Sequence, residues 1–400
     1  MARVSDSAHE RAMAGKTQSI AILEELIAFP TISSDPNRAL INHCDTLLRS
    51  VGAKTTIIED QTGHKANLYA TIGPTDRPGV LLSGHTDVVP VEGQDWTVPA
   101  FEMTRSGDRL FGRGTTDMKG FVASALAAAI RASDMQLETP LHLALSYDEE
   151  IGCVGVHSLI DILAAAPFRP RFCIVGEPTQ MAVATGHKGK TACHVMCTGR
   201  EAHSALAPTA LNAIHLACDL VSAIRTLQDR IAATAPRDED YDVPYTTLHV
   251  GNIRGGVALN IVPNVASFEF EIRNLIDDDP DLLRDEIIRQ AADIVAPLKS
   301  AFPEVAIHIE TTNTYPPLGT AADAEVVSFV KSLTGANGTI KVAFGTEGGL
   351  FSSRLGLPTV VCGPGSMAQG HKPDEFITTD QMAECDAMLD ALLGRLAQGI

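Results

Sequence analysis

Histidines and carboxylates in this chain recur after short apolar runs and in two loops, and five such places together carry the donors of a metal centre. The first is Ser83-Gly84-His85-Thr86-Asp87-Val88-Val89-Pro90, which follows Gly79-Val80-Leu81-Leu82, a run that reads as a buried strand. His85 and Asp87 are two apart, so on an extended backbone both side chains point to one face. One ring nitrogen of His85 suits a metal, and Asp87 suits orienting the ring. The second place is Gly112-Arg113-Gly114-Thr115-Thr116-Asp117-Met118-Lys119-Gly120, a loop entering a helix. It has neither the dinucleotide fingerprint nor a P-loop, which leaves Asp117 as a candidate carboxylate ligand. The third is Asp148-Glu149-Glu150, three acids that repel one another unless something positive sits among them. The fourth is Gly176-Glu177-Pro178-Thr179 and the fifth Gly370-His371-Lys372-Pro373.

Taken singly, these places have ordinary readings: a satisfied strand-end histidine, a turn aspartate, a solvated acidic turn. Taken together, His85, Asp117, Glu150, Glu177 and His371 suit a pair of divalent ions with one carboxylate bridging. Zinc fits imidazole plus carboxylate best, and cobalt or manganese would also bind. A water between two such ions loses its proton readily, and Glu149 is placed to take that proton and pass it to a leaving amine. That is the chemistry of amide hydrolysis.

The elements that must position these residues alternate. Helical periods run from Thr17 to Phe29, Asn37 to Val51, Gly120 to Met135 and Val156 to Ala165. Strands are expected at Lys54 to Glu59, Ala66 to Ile72, Gly79 to Ser83, Leu141 to Ser146 and Phe172 to Val175. Such alternation predicts an α/β sheet with helices on both faces, and the candidate residues follow strand ends, where such sheets place their sites. From about Gly189 the texture changes. A strand Lys190 to Cys197, a helix Pro208 to Leu227, strands Thr246 to Ile253 and Asn264 to Arg273, a helix Pro280 to Leu298 and a strand Val305 to Glu310 follow. That order is the split βαβ of a ferredoxin-like α+β domain. After Pro316-Pro317 the α/β texture resumes, with a helix Ala322 to Ser332, a strand Thr359 to Cys362 and a helix Asp380 to Leu396. The expected organisation is a catalytic domain of residues 1–187 and 313–400 interrupted by an inserted domain of residues 188–312.

Four hundred residues exceed one ordinary core, and 45% hydrophobic with 20% charged residues describes a soluble globular chain. A net charge of −18 argues against nucleic acid or an anionic membrane as partner. Met1 to Lys16 has no apolar core of signal-peptide length, and no stretch approaches the roughly 18 apolar residues of a membrane span. Eight cysteines in a chain this long do not make a disulfide scaffold, and a reducing cytoplasm is expected. Cys193 and Cys197 have a spacing seen in some zinc sites, but no second pair completes one, and they read as small core residues.

With these motifs in order from Ser83 to His371, the chain resembles the di-zinc aminoacylase and peptidase family, which contains the acetylornithine deacetylases, succinyl-diaminopimelate desuccinylases, aminoacylases and glutamate carboxypeptidases. The resemblance implies that His85 and Glu177 hold one zinc, Glu150 and His371 the other, and that Asp117 bridges them. It makes Glu149 the general base, has Asp87 orient His85, and implies a cis peptide at Asp117-Met118. In Gly199-Arg200-Glu201-Ala202-His203-Ser204 it implies a lid histidine, His203, that stabilises the oxyanion, often in the other subunit of a homodimer formed through the inserted domain. Asn260 and Arg273 match substrate-contacting positions, and His187 and Lys188 fall at the hinge.

Gly345-Thr346-Glu347-Gly348-Gly349-Leu350-Phe351 discriminates among substrates. Desuccinylases usually carry an arginine where Leu350 stands, whereas an apolar residue with Glu347 nearby suits a free side-chain amine. The alternative for Glu347 is a helix N-terminal cap. The resemblance is therefore nearest to the acetylornithine deacetylases, and implies cleavage of a small N-acyl amino acid, N²-acetyl-L-ornithine, to L-ornithine and acetate in arginine biosynthesis. Desuccinylation, dipeptide or aminoacylase cleavage on the same metals, and a catalytically silent metal- or ligand-binding relative, are the alternatives.

Overall fold

The structure is a computed structural model that describes residues 18–400. The N-terminal stretch Met1 to Lys16 and the expected helix start at Thr17 lie outside the described residues. The chain forms two compact units. One comprises residues 18–186, Leu318–Val342 and Thr346–Ile400, and the other His187–Pro317 with Ala343–Gly345.

In chain order the first unit begins with α1 (residues 18–27), α2 (Arg38–Ser50), β1 (Lys54–Glu59), β2 (Ala66–Ile72) and β3 (Val80–His85). Two short strands, β4 (Thr104–Ser106) and β5 (Arg109–Phe111), precede a π-helical turn, Thr115–Lys119, that opens into α3 (Gly120–Ser133). Then come β6 (Leu141–Ser146), α4 (Val156–Ala165), β7 (Phe172–Pro178) and β8 (Ala184–His187). The second unit holds β9 (Lys190–Thr198), α5 (Ala213–Thr234), β10 (Thr247–Gly255), β11 (Val265–Arg273), α6 (Pro280–Val295) and β12 (Ala306–Tyr315). The first unit resumes with β13 (Leu318–Gly319), α7 (Glu325–Thr334), β14 (Ile340–Val342), α8 (Gly348–Leu355), β15 (Thr359–Gly363), β16 (Phe376–Thr378) and α9 (Thr379–Gln398).

The first unit is built on a nine-stranded sheet in the order β1-β2-β6-β3-β7-β15-β8-β13, with β14 beside β8. β3 runs parallel to β6 and β7, and β15 parallel to β7, while β1, β2 and β6 pair antiparallel. The α/β expectation therefore holds as a mixed sheet with flanking helices. Every residue of β3, β6 and β7 is buried, as strands covered on both faces require. α3 is alanine-rich and buried from Gly120 to Ala129, and it lies close against α9 and its Met382, Cys385, Met388 and Leu389. Gly176 shows how tight this layer is: a Cβ there would fall 1.9 Å from Cγ of Phe121.

In the second unit an antiparallel sheet of order β10-β11-β9-β12 packs against α5 and α6. Cys193 and Cys197 alternate into its core beside Val195, Phe268 and Leu220, as their reading predicts. Several boundaries differ from expectation. α5 starts at Ala213 rather than Pro208, because Asn212 Oδ1 accepts the Ile214 N–H at 2.9 Å while Ser204–Thr209 forms a 3-10 turn. α6 ends at Val295, with Pro297 in a following 3-10 turn. β12 continues to Tyr315 through an exposed Thr- and Asn-rich stretch whose polarity hid it. Among the described residues no helix is long and apolar enough to cross a membrane. All eight cysteines are free.

Candidate metal centre

The five expected donors come together in the first unit. His85 ends β3, Glu177 lies near the end of β7, Glu150 follows β6, Asp117 sits in the π-helical turn before α3, and His371 occupies the loop after β15. Asp117 is central. Its Oδ1 is 3.1 Å from His85 Nε2 and its Oδ2 is 3.1 Å from His371 Nε2. His371 Nε2 is also 3.0 Å from Glu150 Oε2, and His85 Nε2 is 3.7 Å from Glu177 Oε1. The Asp117–Met118 peptide is cis, as the resemblance implies.

The acidic triplet divides its labour. Asp148 (φ 54°) turns away and pairs with Lys65 Nζ at 2.5 Å, also accepting the Ser34 N–H. Glu149 and Glu150 are left facing the cluster. Asp87 contributes more than orientation of His85. His85 Nδ1 lies 3.0 Å from the Asp87 carbonyl and 3.5 Å from its Oδ1. The Asp87 carboxylate also accepts the Glu149 N–H at 3.1 Å, the Glu150 N–H at 3.2 Å and the Ser33 hydroxyl at 2.6 Å. Asp87 thus ties the candidate base to the candidate ligand strand.

Electrostatics follow from crowding. Burial pushes Glu149 up to about 8 and Glu150 up to about 7, with neighbouring carboxylates adding to both. Burial likewise holds Glu177 well above the usual range against the pull of His85. Burial opposes charge on His85, yet Glu177, Asp117 and Asp87 outweigh it and hold the imidazole well above its ordinary value. Hydrogen bonds to Asp117 and Glu150 push His371 up to about 10. Burial works against Asp117, but both imidazoles hold it well below the carboxylate range. The buried Glu150 Oε1 has no hydrogen-bond partner.

This donor set fits divalent cations. Ligand atoms of His85, Asp117 and Glu150, and of His85, Glu149 and Glu177, lie within 4.8 Å of one another. Burial and mutual repulsion raise Glu149, Glu150 and Glu177 alike, a penalty on their charged forms that bound cations would relieve.

The remaining expected residues are placed differently. Thr346 and Glu347 belong to the first unit and both are buried. Thr346 Oγ1 accepts the Gly348 N–H at 2.9 Å and so caps α8. The Glu347 carboxylate makes no capping bond. It accepts the Ser83 hydroxyl at 3.2 Å, and burial pushes it up to about 7. His203, Asn260, Arg273 and Gly345 belong to the second unit. His203 is exposed, its Nδ1 accepting the Ala205 N–H at 3.1 Å, and the Ser204 N–H bonds the Asn260 carbonyl at 2.9 Å. Arg273 is held by the Tyr315 hydroxyl at 2.8 Å and Glu271 at 3.0 Å. A Cβ on Gly345 would fall 2.1 Å from the Tyr315 hydroxyl.

Sequence reasoning passed over Ser33, Cys153, Arg113 and Glu375. The Cys153 thiol donates to Glu149 Oε1 at 3.3 Å. Glu375 pairs with Arg113 at 2.7 Å with both side chains only 1% exposed. Proximity to His371 in sequence was the one available signal for Glu375.

Known proteins similar to this chain share one family. The sequence model described as Peptidase family M20/M25/M40 matches residues 81–395. Acetylornithine deacetylase of Myxococcus xanthus is 34% identical over 389 residues, covering 95% of this chain and 97% of that protein. The acetylornithine deacetylase of Proteus mirabilis is 33% identical, covering 90% of this chain and 91% of that protein. Among solved structures, the M20 family metallo-carboxypeptidase Sso-CP2 of Sulfolobus solfataricus has a TM-score of 0.77 at 20% identity, covering 96% of this chain and all of that one. YXEP of Bacillus subtilis, described as a dinuclear metal binding peptidase from the M20 family, has a TM-score of 0.68 at 12% identity, covering 97% of this chain and all of that one.

Proposed function

The chain belongs to peptidase family M20/M25/M40, and on that premise we propose that it hydrolyses the amide bond of an N-acyl amino acid, N²-acetyl-L-ornithine, giving L-ornithine and acetate. The observation that carries this reading is the convergence of His85, Asp117, Glu150, Glu177 and His371 around one carboxylate, with Glu149 beside them. His85 and Glu177 would hold one zinc, Glu150 and His371 the other, with Asp117 between them. When bound, the two ions would supply Lewis-acid polarisation of the amide carbonyl and ready deprotonation of the attacking water.

The chain's own residues do the rest. Glu149 takes one proton from the water whose oxygen attacks the carbonyl carbon. It then delivers that proton to the amide nitrogen as the C–N bond breaks, and the remaining water proton passes from the new carboxylic acid to the amine, giving carboxylate and ammonium products. Asp87 aims Glu149 through the backbone N–H bonds of Glu149 and Glu150. Because His203 Nδ1 accepts a hydrogen bond, its proton sits on Nε2, a donor suited to an oxyanion and worth about 10²–10³ in rate. Arg273, fixed by Tyr315 and Glu271, suits bidentate capture of the substrate α-carboxylate, with Asn260, Gly345, Thr346 and Glu347 as further substrate-side residues. The strand order of the inserted unit supports a ferredoxin-like lid, and we propose this unit as the one through which a homodimer would form. The identity with acetylornithine deacetylases over nearly the whole chain supports the acetyl substrate.

The test is zinc-loaded turnover of N-acetyl-L-ornithine beside N-succinyl-diaminopimelate, with Glu149→Ala as control. Preference for the acetyl substrate, reduced about 10²–10⁴-fold or more in the variant, is expected. Preference for the succinyl substrate would overturn the substrate assignment, and an active Glu149→Ala protein would overturn the mechanism.

A further inference from the structure

Asp117 and His371, the two donors that meet at 3.1 Å, both lie on irregular backbone. Asp117 and Met118 leave helical φ/ψ within their turn, and His371 has φ 61°. His85 and Glu177, by contrast, sit on strands paired within the central sheet. Something other than a ladder must hold the first two in place.

We infer that Glu375 and Arg113 are positioning residues that set Asp117 and His371 for the second ion, the one assigned to Glu150 and His371. This inference rests on the two-ion reading above. Glu375 Oε1 accepts the N–H groups of Thr116 at 2.9 Å and Asp117 at 3.1 Å. Its Oε2 accepts the Gly114 N–H at 3.0 Å and Arg113 Nη1 at 2.7 Å. The turn can aim its N–H groups inward because Gly114 has φ 87°, a conformation glycine adopts without strain. Arg113 extends the clamp to the other side. Its Nη1 reaches the Lys372 carbonyl at 3.3 Å, and its Nη2 binds Gln94 Oε1, while Gln94 Nε2 holds the His371 carbonyl at 3.1 Å. The Trp96 indole N–H bonds Gln94 Oε1 at 3.0 Å, and the Arg113 guanidinium lies 5.0 Å from the Trp96 ring centre. One buried ion pair therefore fixes both the bridging turn and the histidine loop. A buried pair brings little net stability over apolar packing, so geometry is the better account of its presence.

Hydrogen-bond partners behind metal ligands are worth 10–100-fold in affinity. The experiment is zinc titration of the metal-stripped full chain against a chromogenic chelator, with thermal melting alongside, for the wild type, Glu375→Gln and Arg113→Lys. The amide of Glu375→Gln sets a donor against the turn's N–H groups, and Arg113→Lys keeps charge but loses the fork. The expected result is two tight ions in the wild type. Each variant should bind the ion assigned to Glu150 and His371 about 10–100-fold more weakly, and the other ion, which shares only Asp117 with that clamp, distinctly less so. Two unchanged affinities in both variants, or equal weakening of both ions in step with a lower melting temperature, would overturn the inference alone. A wild type that takes up fewer than two ions would overturn the two-ion reading and this inference with it.

Discussion

Asp87→Asn isolates the aiming of the base. The Asp87 carboxylate accepts the Glu149 N–H on Oδ1 and the Glu150 N–H, with the Ser33 hydroxyl, on Oδ2. An asparagine amide, whichever way round it sits, sets an NH2 group against one of those two N–H donors. Ser33 can reverse its hydroxyl to suit, but a backbone N–H cannot. One buried donor is left without an acceptor, at a cost of ~1–3 kcal/mol. The Glu149–Glu150 segment relieves that conflict by drawing away, and a displacement of about 1 Å at a reacting group costs about 10²-fold in rate. The assay pairs urea unfolding of the zinc-free protein with kcat on N-acetyl-L-ornithine at saturating zinc. Stability should fall by that amount and kcat by about a hundredfold. If both stay within about twofold of the wild type, the hydrogen bonds seen here do not position the base.

Two further outcomes follow from burial. Burial pushes the His142 imidazole down to about 4, so the unfolded chain, with a histidine near ~6.5, takes up the proton first. The His142 contribution to stability is then intact above about pH 6.5 and lost as pH falls toward 4, a swing of ~3 kcal/mol. His142→Gln should flatten the stability–pH curve over that interval, and an unchanged slope would show that the ring is not held neutral. Gly176→Ala places a methyl 1.9 Å from the Phe121 ring, whose side chain is only 1% exposed. Unfolding by urea should show a loss at or above the top of the ~1–3 kcal/mol range for overpacking, whereas a neutral substitution would mean the layer yields.

Much of this was legible in the residues because periodicity and site chemistry coincide. β3, β6 and β7 read clearly, being apolar or alternating runs with a candidate ligand or base at or shortly after the end of each. α4 was read at its observed bounds because its apolar residues keep helical spacing. The short strands β4, β5, β13, β14 and β16 escaped, since two or three residues show no period. α8 entered only as the alternative in which Glu347 caps a helix, because Gly348-Gly349 disguises its start, and the side chain that bonds its first N–H is Thr346, one residue earlier. At the site, the donors announced themselves by type, but the support did not. Asp87 reads as a partner of His85, and only the fold brings the Glu149 and Glu150 N–H groups onto it. Glu375 and Arg113 are separated by the entire inserted unit, and a buried pair between such distant residues leaves no local pattern.

The position of β15 bears on how the molecule is made. It lies between β7 and β8 in the sheet, although the second unit intervenes in sequence between β8 and β15. While the chain is being translated, β7 therefore waits with one apolar edge bare until β15 emerges, an invitation to pairing with other nascent chains. His85, Asp117, Glu150 and Glu177 likewise leave the ribosome well before His371. A growing chain thus exposes a loose set of carboxylates that can take up a metal weakly and in the wrong geometry. On the proposed two-ion reading, loading belongs after synthesis, when sheet closure and capture of the ions would become one event.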